Sequence, residues 1–189
     1  MSDSTPGTDN RLKSLFWPSV NTASDVDYLG TQGYWVCTVV ALLSFIFSLI
    51  FNQEPIGLLY LIFYYFGGVG VRERSRYAAM AVAIMYSIET LVVVLTTDLR
   101  TLNIYLGARL VIHILLAALL LANVRATWIA SNWNSASEEA AAPPRLNETW
   151  SDKFADQLPM WLWPRIKIFY DIYSVGFIMG VVFWIFRWG

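Results

Sequence analysis

Charged residues are scarce in this chain: Asp, Glu, Lys and Arg make up 14% of its 189 residues, against about 25% in a typical soluble domain. Cys37 is the single cysteine, which excludes an intrachain disulfide and a cysteine-cluster metal site. His113 is the single histidine, so we expect no His-rich metal site and no cofactor. The formal net charge of −1 lacks the basic excess of a nucleic-acid-binding surface, so nucleic acid is not an expected partner.

Catalytic motifs are also missing from the sequence. There is no Gly-x-Ser-x-Gly, no His-Glu-x-x-His and no phosphate-binding glycine loop. The dense glycine stretch at residues 67–70 ends a long apolar run instead of following a strand, so it is not a nucleotide-binding fingerprint. The sequence therefore favours a non-enzymatic protein, and an enzyme acting on lipid has no motif to support it.

Long apolar runs are what the chain has in abundance, since 57% of its residues are hydrophobic. A helix needs about 20 apolar residues to cross about 30 Å of hydrocarbon. Charged islands and turns divide the sequence into five such runs, at residues 33–51, 56–71, 77–97, 102–124 and 165–186. We therefore predict an all-α fold, a polytopic integral membrane helix bundle with five transmembrane helices. Four helices with a re-entrant C-terminal end is the alternative.

The same pattern predicts four regions along the chain. Residues 1–32 are rich in Ser, Thr, Asp and Gly and are expected to form a polar N-terminal tail. Residues 33–130 hold four transmembrane helices in two hairpins. Residues 131–158 are polar, contain Pro143-Pro144 and are predicted to be a cytoplasmic loop, because consecutive prolines interrupt a helix. Residues 159–189 hold the C-terminal transmembrane helix.

Lys and Arg residues predict the orientation of these helices, because they are retained in the cytoplasmic loops. With the N-terminus in the cytoplasm, ten of them fall on the inner side and two on the outer side. The inner residues are Arg11, Lys13, Arg72, Arg74, Arg76, Arg125, Arg145, Lys153, Arg165 and Lys167, and the outer ones are Arg100 and Arg187. We therefore expect the N-terminus to lie in the cytoplasm. The general character of the sequence is that of a small bacterial membrane protein, so the expected location is the bacterial inner membrane.

One group of polar residues falls within the apolar runs and forms the candidate site. Glu89 in the third run and Arg109 in the fourth are each ten residues from Leu99, so an antiparallel hairpin places them at matching depth. His113 is one turn beyond Arg109 on the same helix face, and Tyr86 is predicted at the level of His113. A central acidic or Arg residue costs about 2.5–3.5 kcal/mol on insertion scales, so we expect these groups to be paired.

Three interpretations of this cluster are open, and in the third the groups are separate, face lipid and have no partner. The first is a structural Glu89–Arg109 ion pair that sets helix register, with His113 hydrogen-bonded to Tyr86 or to a backbone carbonyl. The second is a functional polar site, such as a proton or ion relay or a pocket for an anionic headgroup. Nearer the membrane surface, Lys167 and Asp171 are four residues apart and are expected to form a local pair.

Small residues suggest where helices pack closely or assemble. Gly176 and Gly180 form a Gly-x-x-x-Gly pattern in the last run, which is typical of close helix contacts in membranes. Such contacts occur within one chain or between chains, so these glycines are a candidate interface. The leading hypothesis is a membrane subunit or scaffold in contact with membrane lipids and with a second copy or a membrane-complex partner. The alternative is a small transporter or channel that uses Glu89, Arg109 and His113.

Overall fold

A computed structural model describes residues 20, 23–97, 104–131 and 161–188 of the chain. These residues form five α-helices and no strand. The helices are α1 (Ala23–Ile50), α2 (Glu54–Arg72), α3 (Arg76–Thr96), α4 (Ile104–Ala130) and α5 (Leu162–Trp188). Each contains a segment long and apolar enough to cross a membrane. The predicted all-α membrane helix bundle with five such helices, not four, is therefore confirmed. Apart from Ser131, the predicted loop at 131–158 lies outside the described residues.

The turns after α1 and α2 use the same helix-ending motif. In each, an amide bonds to the carbonyl five residues earlier, from Gln53 to Ser48 and from Ser75 to Gly70. The preceding residue adopts the left-handed conformation, with φ of 54° at Asn52 and 55° at Arg74. This is the Schellman motif, in which glycine is the usual left-handed residue. These compact endings reverse the chain direction within a few residues.

Contacts at one end of the bundle show how the helices alternate in direction. The carboxylate of Asp27, near the start of α1, accepts hydrogen bonds of 2.8 and 2.9 Å from the guanidinium of Arg74, just after α2. The side chain of Asn123, near the end of α4, donates a hydrogen bond to the carbonyl oxygen of Leu29. Trp163, near the start of α5, lies beside Gly70. The helices therefore run up and down in turn.

The start of α1 differs from the sequence prediction. The helix begins at Ala23, whereas the polar tail was predicted to extend to residue 32. Val26 and Leu29 are each only 1% exposed, and Asp27 pairs with Arg74. Tertiary contacts thus continue the helix by two to three turns beyond the apolar run, which polar composition alone does not reveal. Most of the remaining tail, residues 1–19, lies outside the described residues.

Glycines of α2 bring its neighbours close to its backbone. A methyl group at Gly67 would meet Val82 of α3 and Tyr170 of α5, and one at Gly68 would meet Cys37 of α1. A methyl group at Gly70 would meet both Trp163 and Ala78. Three helices therefore contact α2 at positions where no side chain fits. This explains the dense glycine stretch as a packing feature, as expected where helices associate without water between them.

Burial is uneven across the bundle. The buried residues of α4 all lie in its second half, between Leu120 and Thr127. Those of α5 form one stripe, Trp163, Tyr170 and Ser174, spaced by seven and four residues. Helices α1 to α3 supply most of the buried core, so α2 and α3 lie centrally while α4 and α5 are peripheral.

Replacing Gly70 with alanine is expected to destabilise the bundle, by about 1–3 kcal/mol, because the added methyl group overlaps Trp163 and Ala78. The matched control is Gly107→Ala on α4, since a methyl group there meets no atom of the described residues within 4 Å. We expect the control to lose no stability. Thermal unfolding in the same detergent measures both, and equal loss in the two variants would contradict this account of the glycines.

Candidate intramembrane polar site

Glu89 lies on the face of α3 that turns toward α2. The buried residues Val82, Met85 and Tyr86 precede it at intervals of three and four residues, and Glu89 continues the same helical stripe. The carboxylate is half-buried and lies in the last third of the helix, seven residues before Thr96. Helical periodicity thus brings a charged side chain to the inner face of the bundle.

Tyr64 of α2 is the direct partner of Glu89. Its hydroxyl group donates a hydrogen bond of 2.9 Å to Oε1 of the carboxylate, and the tyrosine ring is completely buried. Hydrogen bonds to a charged acceptor are stronger than those between neutral groups. Tyr64 was not among the residues expected at this site, although the sequence places three tyrosines, Tyr60, Tyr64 and Tyr65, in an otherwise apolar run.

Tyr86 and His113 meet as the sequence indicated, but through their rings. The two rings stack with centroids 5.5 Å apart and an interplanar angle of 21°. Tyr86 also packs edge-to-face against Tyr64, with centroids 6.2 Å apart. Nδ1 of His113 is buried and has no hydrogen-bond partner among the described residues. Glu89, Tyr64, Tyr86 and His113 therefore form a continuous series of contacts from α2 through α3 to α4.

Arg109 does not join this series. Glu89 and Arg109 form no ion pair in the part of the chain that the structure describes, and the Arg109 side chain is exposed. The expected Glu89–Arg109 ion pair is thus wrong. Glu89 faces α2, and the first half of α4, which carries Arg109, has no buried residue. Equal distance from the turn predicts matching depth, but it does not determine whether two helices stay in contact.

Asp171 and Lys167 also lack the predicted local pair within the described residues. Oδ1 of Asp171 is buried and has no hydrogen-bond partner there, while Lys167 is exposed and lines a surface groove. The backbone carbonyl of Asp171 instead accepts a hydrogen bond of 3.1 Å from the hydroxyl of Tyr77. This bond joins α5 to α3, so the tyrosine attaches the peripheral helix to the bundle.

Gly176 and Gly180 lie on an open face of α5. A methyl group at either position would meet no atom of the described residues within 4 Å, so neither glycine makes a close contact with that part of the chain. Of the two interpretations of the motif, packing within the chain has no support among the described residues. The interface between chains stays a prediction.

A groove lies between α3 and α4 next to the polar series. Its volume is about 330 Å³, and its lining is almost entirely apolar, including Ala83, Leu91, Leu121 and Val124. Glu89, Arg109 and His113 are not among the lining residues. The described residues also contain no group of three or more His, Cys, Asp or Glu side chains arranged to hold a metal ion.

Comparisons with known proteins add no family to this picture. No protein-family model, no curated protein and no solved structure matches the chain.

A double-mutant cycle tests the Tyr64–Glu89 contact. We expect Tyr64→Phe and Glu89→Met each to lower stability and to show a coupling energy between about 0.6 and about 1.7 kcal/mol, the average and the maximum for polar contacts between membrane helices. The matched control cycle combines Glu89→Met with Arg109→Met, whose effects are expected to add. Unfolding in lipid bicelles provides the free energies. Coupling to Arg109 instead of Tyr64 would contradict the described geometry.

Proposed function

We propose that this protein is a non-enzymatic membrane subunit or scaffold that assembles with another copy of itself or with a membrane-complex partner. The main support for the proposal is that the five helices are buried to very different extents. In α4 and α5, a much smaller share of the apolar segment is buried than in α1, α2 and α3. A peripheral pair of helices with open faces is suited to contact other membrane chains.

Two features of the open faces support assembly. Gly176 and Gly180 allow another helix to approach the backbone of α5 closely. Arg109 is an exposed cation about 7.5 Å along the helix axis from Ile104, the first residue of α4. Within the described residues it forms no ion pair with a carboxylate. A partner that supplies an acceptor would lower the cost of holding this charge in the membrane.

The central polar contact fits a structural role. Glu89 is bonded directly to Tyr64, and the neighbouring groove between α3 and α4 is apolar. A transport site needs a water-accessible path lined by polar groups. A direct side-chain bond instead joins α2 to α3 and holds their register.

A transporter or channel is the second candidate, and one observation favours it. Glu89, Tyr64, Tyr86 and His113 bring groups that can exchange protons into contact across three helices. Such series form proton relays in pumps and transporters. Proton flux into vesicles containing the purified protein distinguishes the candidates: the scaffold predicts background flux, and flux that is lost in Glu89→Gln would favour transport.

Assembly is tested by native mass spectrometry of the gently solubilised protein. We expect a dimer, a larger assembly or a reproducible protein partner. Replacing both Gly176 and Gly180 with isoleucine should reduce assembly at least about tenfold if their face forms the contact, since large side chains prevent close approach. The matched control is Leu42→Ile on the exposed face of α1, which should leave assembly unchanged. A strictly monomeric wild-type protein without partners would overturn the proposal.

For orientation, we propose an N-terminus in the cytoplasm of a bacterium and a C-terminus outside the inner membrane. The support is the excess of basic residues, ten against two, on one side of the five helices. Fusions of alkaline phosphatase, which is active only outside the cytoplasm, should be active after residue 100 and after residue 189. A fusion after residue 140 should be inactive, and the reverse pattern would contradict this orientation.

A further inference from the structure

A second groove opens at the end of the bundle where α2 and α4 end and α3 and α5 begin. Its volume is about 490 Å³, and more of its lining surface is polar than apolar. The side chains that matter for its chemistry are Arg76, Lys167, Glu73, Trp128 and Trp163. It is separate from the Glu89 site and collects residues from three helices and one turn.

The charge that this groove offers is positive. Arg76 and Lys167 are exposed, and neither forms an ion pair with a carboxylate of the described residues. Arg74 also lines the groove, but its guanidinium is already paired with Asp27. Glu73 is the single acidic lining residue. Two basic groups therefore remain available to an anion. Arg76 is in the first turn of α3, where the helix dipole also favours negative charge, and Lys167 is on α5.

Two tryptophans place the groove at the level of lipid headgroups. Trp163 is buried at the base of α5, and Trp128 lies on α4 with the guanidinium of Arg76 5.9 Å from its ring centre. Tryptophan is enriched where the bilayer meets water, because its ring is apolar and its N–H is polar. An exposed tryptophan ring beside a basic group, as at Trp128 and Arg76, is typical of the level of the lipid phosphate groups.

The polar groove adjoins the apolar groove between α3 and α4. Met80 lines both, so the polar groove and the apolar groove meet at this residue of α3. Beyond Met80 the apolar groove continues past Ala83 and Ser87 to Leu91. A molecule with a charged headgroup and a hydrocarbon chain would match the polar groove with the first and the apolar groove with the second. A free phosphate ion would use only the polar groove.

We propose that this combined groove binds one anionic phospholipid, with the phosphate between Arg76 and Lys167 and an acyl chain along α3 and α4 below Met80. The site does not depend on the assembly proposed above, because all of its lining residues belong to one chain. Binding is noncovalent and rests on charge at one end and apolar contact at the other.

Native mass spectrometry with added lipids tests the headgroup part of the site. We expect wild-type protein to retain phosphatidylglycerol in preference to phosphatidylcholine with the same acyl chains. Arg76→Gln and Lys167→Gln should each reduce this preference about fivefold, and the double variant about 30-fold, if each basic group contributes what is typical near a membrane surface. The matched control is Arg187→Gln, which removes a positive charge at the other end of α5 and should leave the preference unchanged.

Two further sets of variants distinguish a specific loss of lipid binding from a general loss of folding. The charge-preserving variants Arg76→Lys and Lys167→Arg should keep the preference, and thermal unfolding should be similar for all variants. Ser87→Phe fills the apolar groove and should weaken retention of phosphatidylglycerol, whereas Ile46→Phe on the exposed face of α1 should not. Unchanged retention in Ser87→Phe would contradict an acyl chain in that groove.

Competition with inorganic phosphate shows whether the ligand is a phospholipid or a free phosphate ion. An excess of phosphate over lipid should displace little phosphatidylglycerol, because the ion lacks the apolar contacts. Displacement by phosphate at equal concentration would overturn the lipid as occupant. The proposal also fails if the double variant keeps the wild-type preference, or if the charge-preserving variants lose it as fully as the double variant does.

Discussion

Close backbone approach along α2 is the constraint on which the rest of the structure depends. Gly67, Gly68 and Gly70 leave room for residues of α1, α3 and α5, and any side chain at these positions would overlap a neighbour. Three helices are thereby brought against one without water between them, where van der Waals packing and interhelical hydrogen bonds drive association. The tight contact lies near the end of α2. The same end of the bundle holds the Asp27–Arg74 ion pair and the hydrogen bond from Asn123 to Leu29.

Helix packing determines which polar side chains have a partner. Where α2 and α3 are in contact, the carboxylate of Glu89 accepts a hydrogen bond from the hydroxyl of Tyr64. Where α4 has no buried residue, Arg109 stays on the outside. The apolar groove lies beside the other half of α4, against Leu121 and Val124. The missing ion pair and the groove are therefore separate features of the contact between α3 and α4.

The sequence was sufficient for the fold class and insufficient for the partners within the site. Apolar length and charge islands predicted five helices, because the thickness of a bilayer imposes a minimum run on each of them. Helical periodicity placed Tyr86 beside His113, and their rings do stack. It could not identify Tyr64 as the partner of Glu89, because pairing depends on which helices are neighbours and how they rotate. The start of α1 was also not predicted. Val26 and Leu29 are buried by tertiary contacts, although the sequence around them is polar.

The helix α4 is held at two points that lie ten residues apart. Asn123 bonds to Leu29 of α1, and His113 stacks on Tyr86 of α3. At 1.5 Å per residue these two points are about 15 Å apart along the helix axis, and Arg109 lies about 6 Å beyond the second one. The position of this positive charge is therefore set by the ring contact of His113 as well as by the buried half of α4.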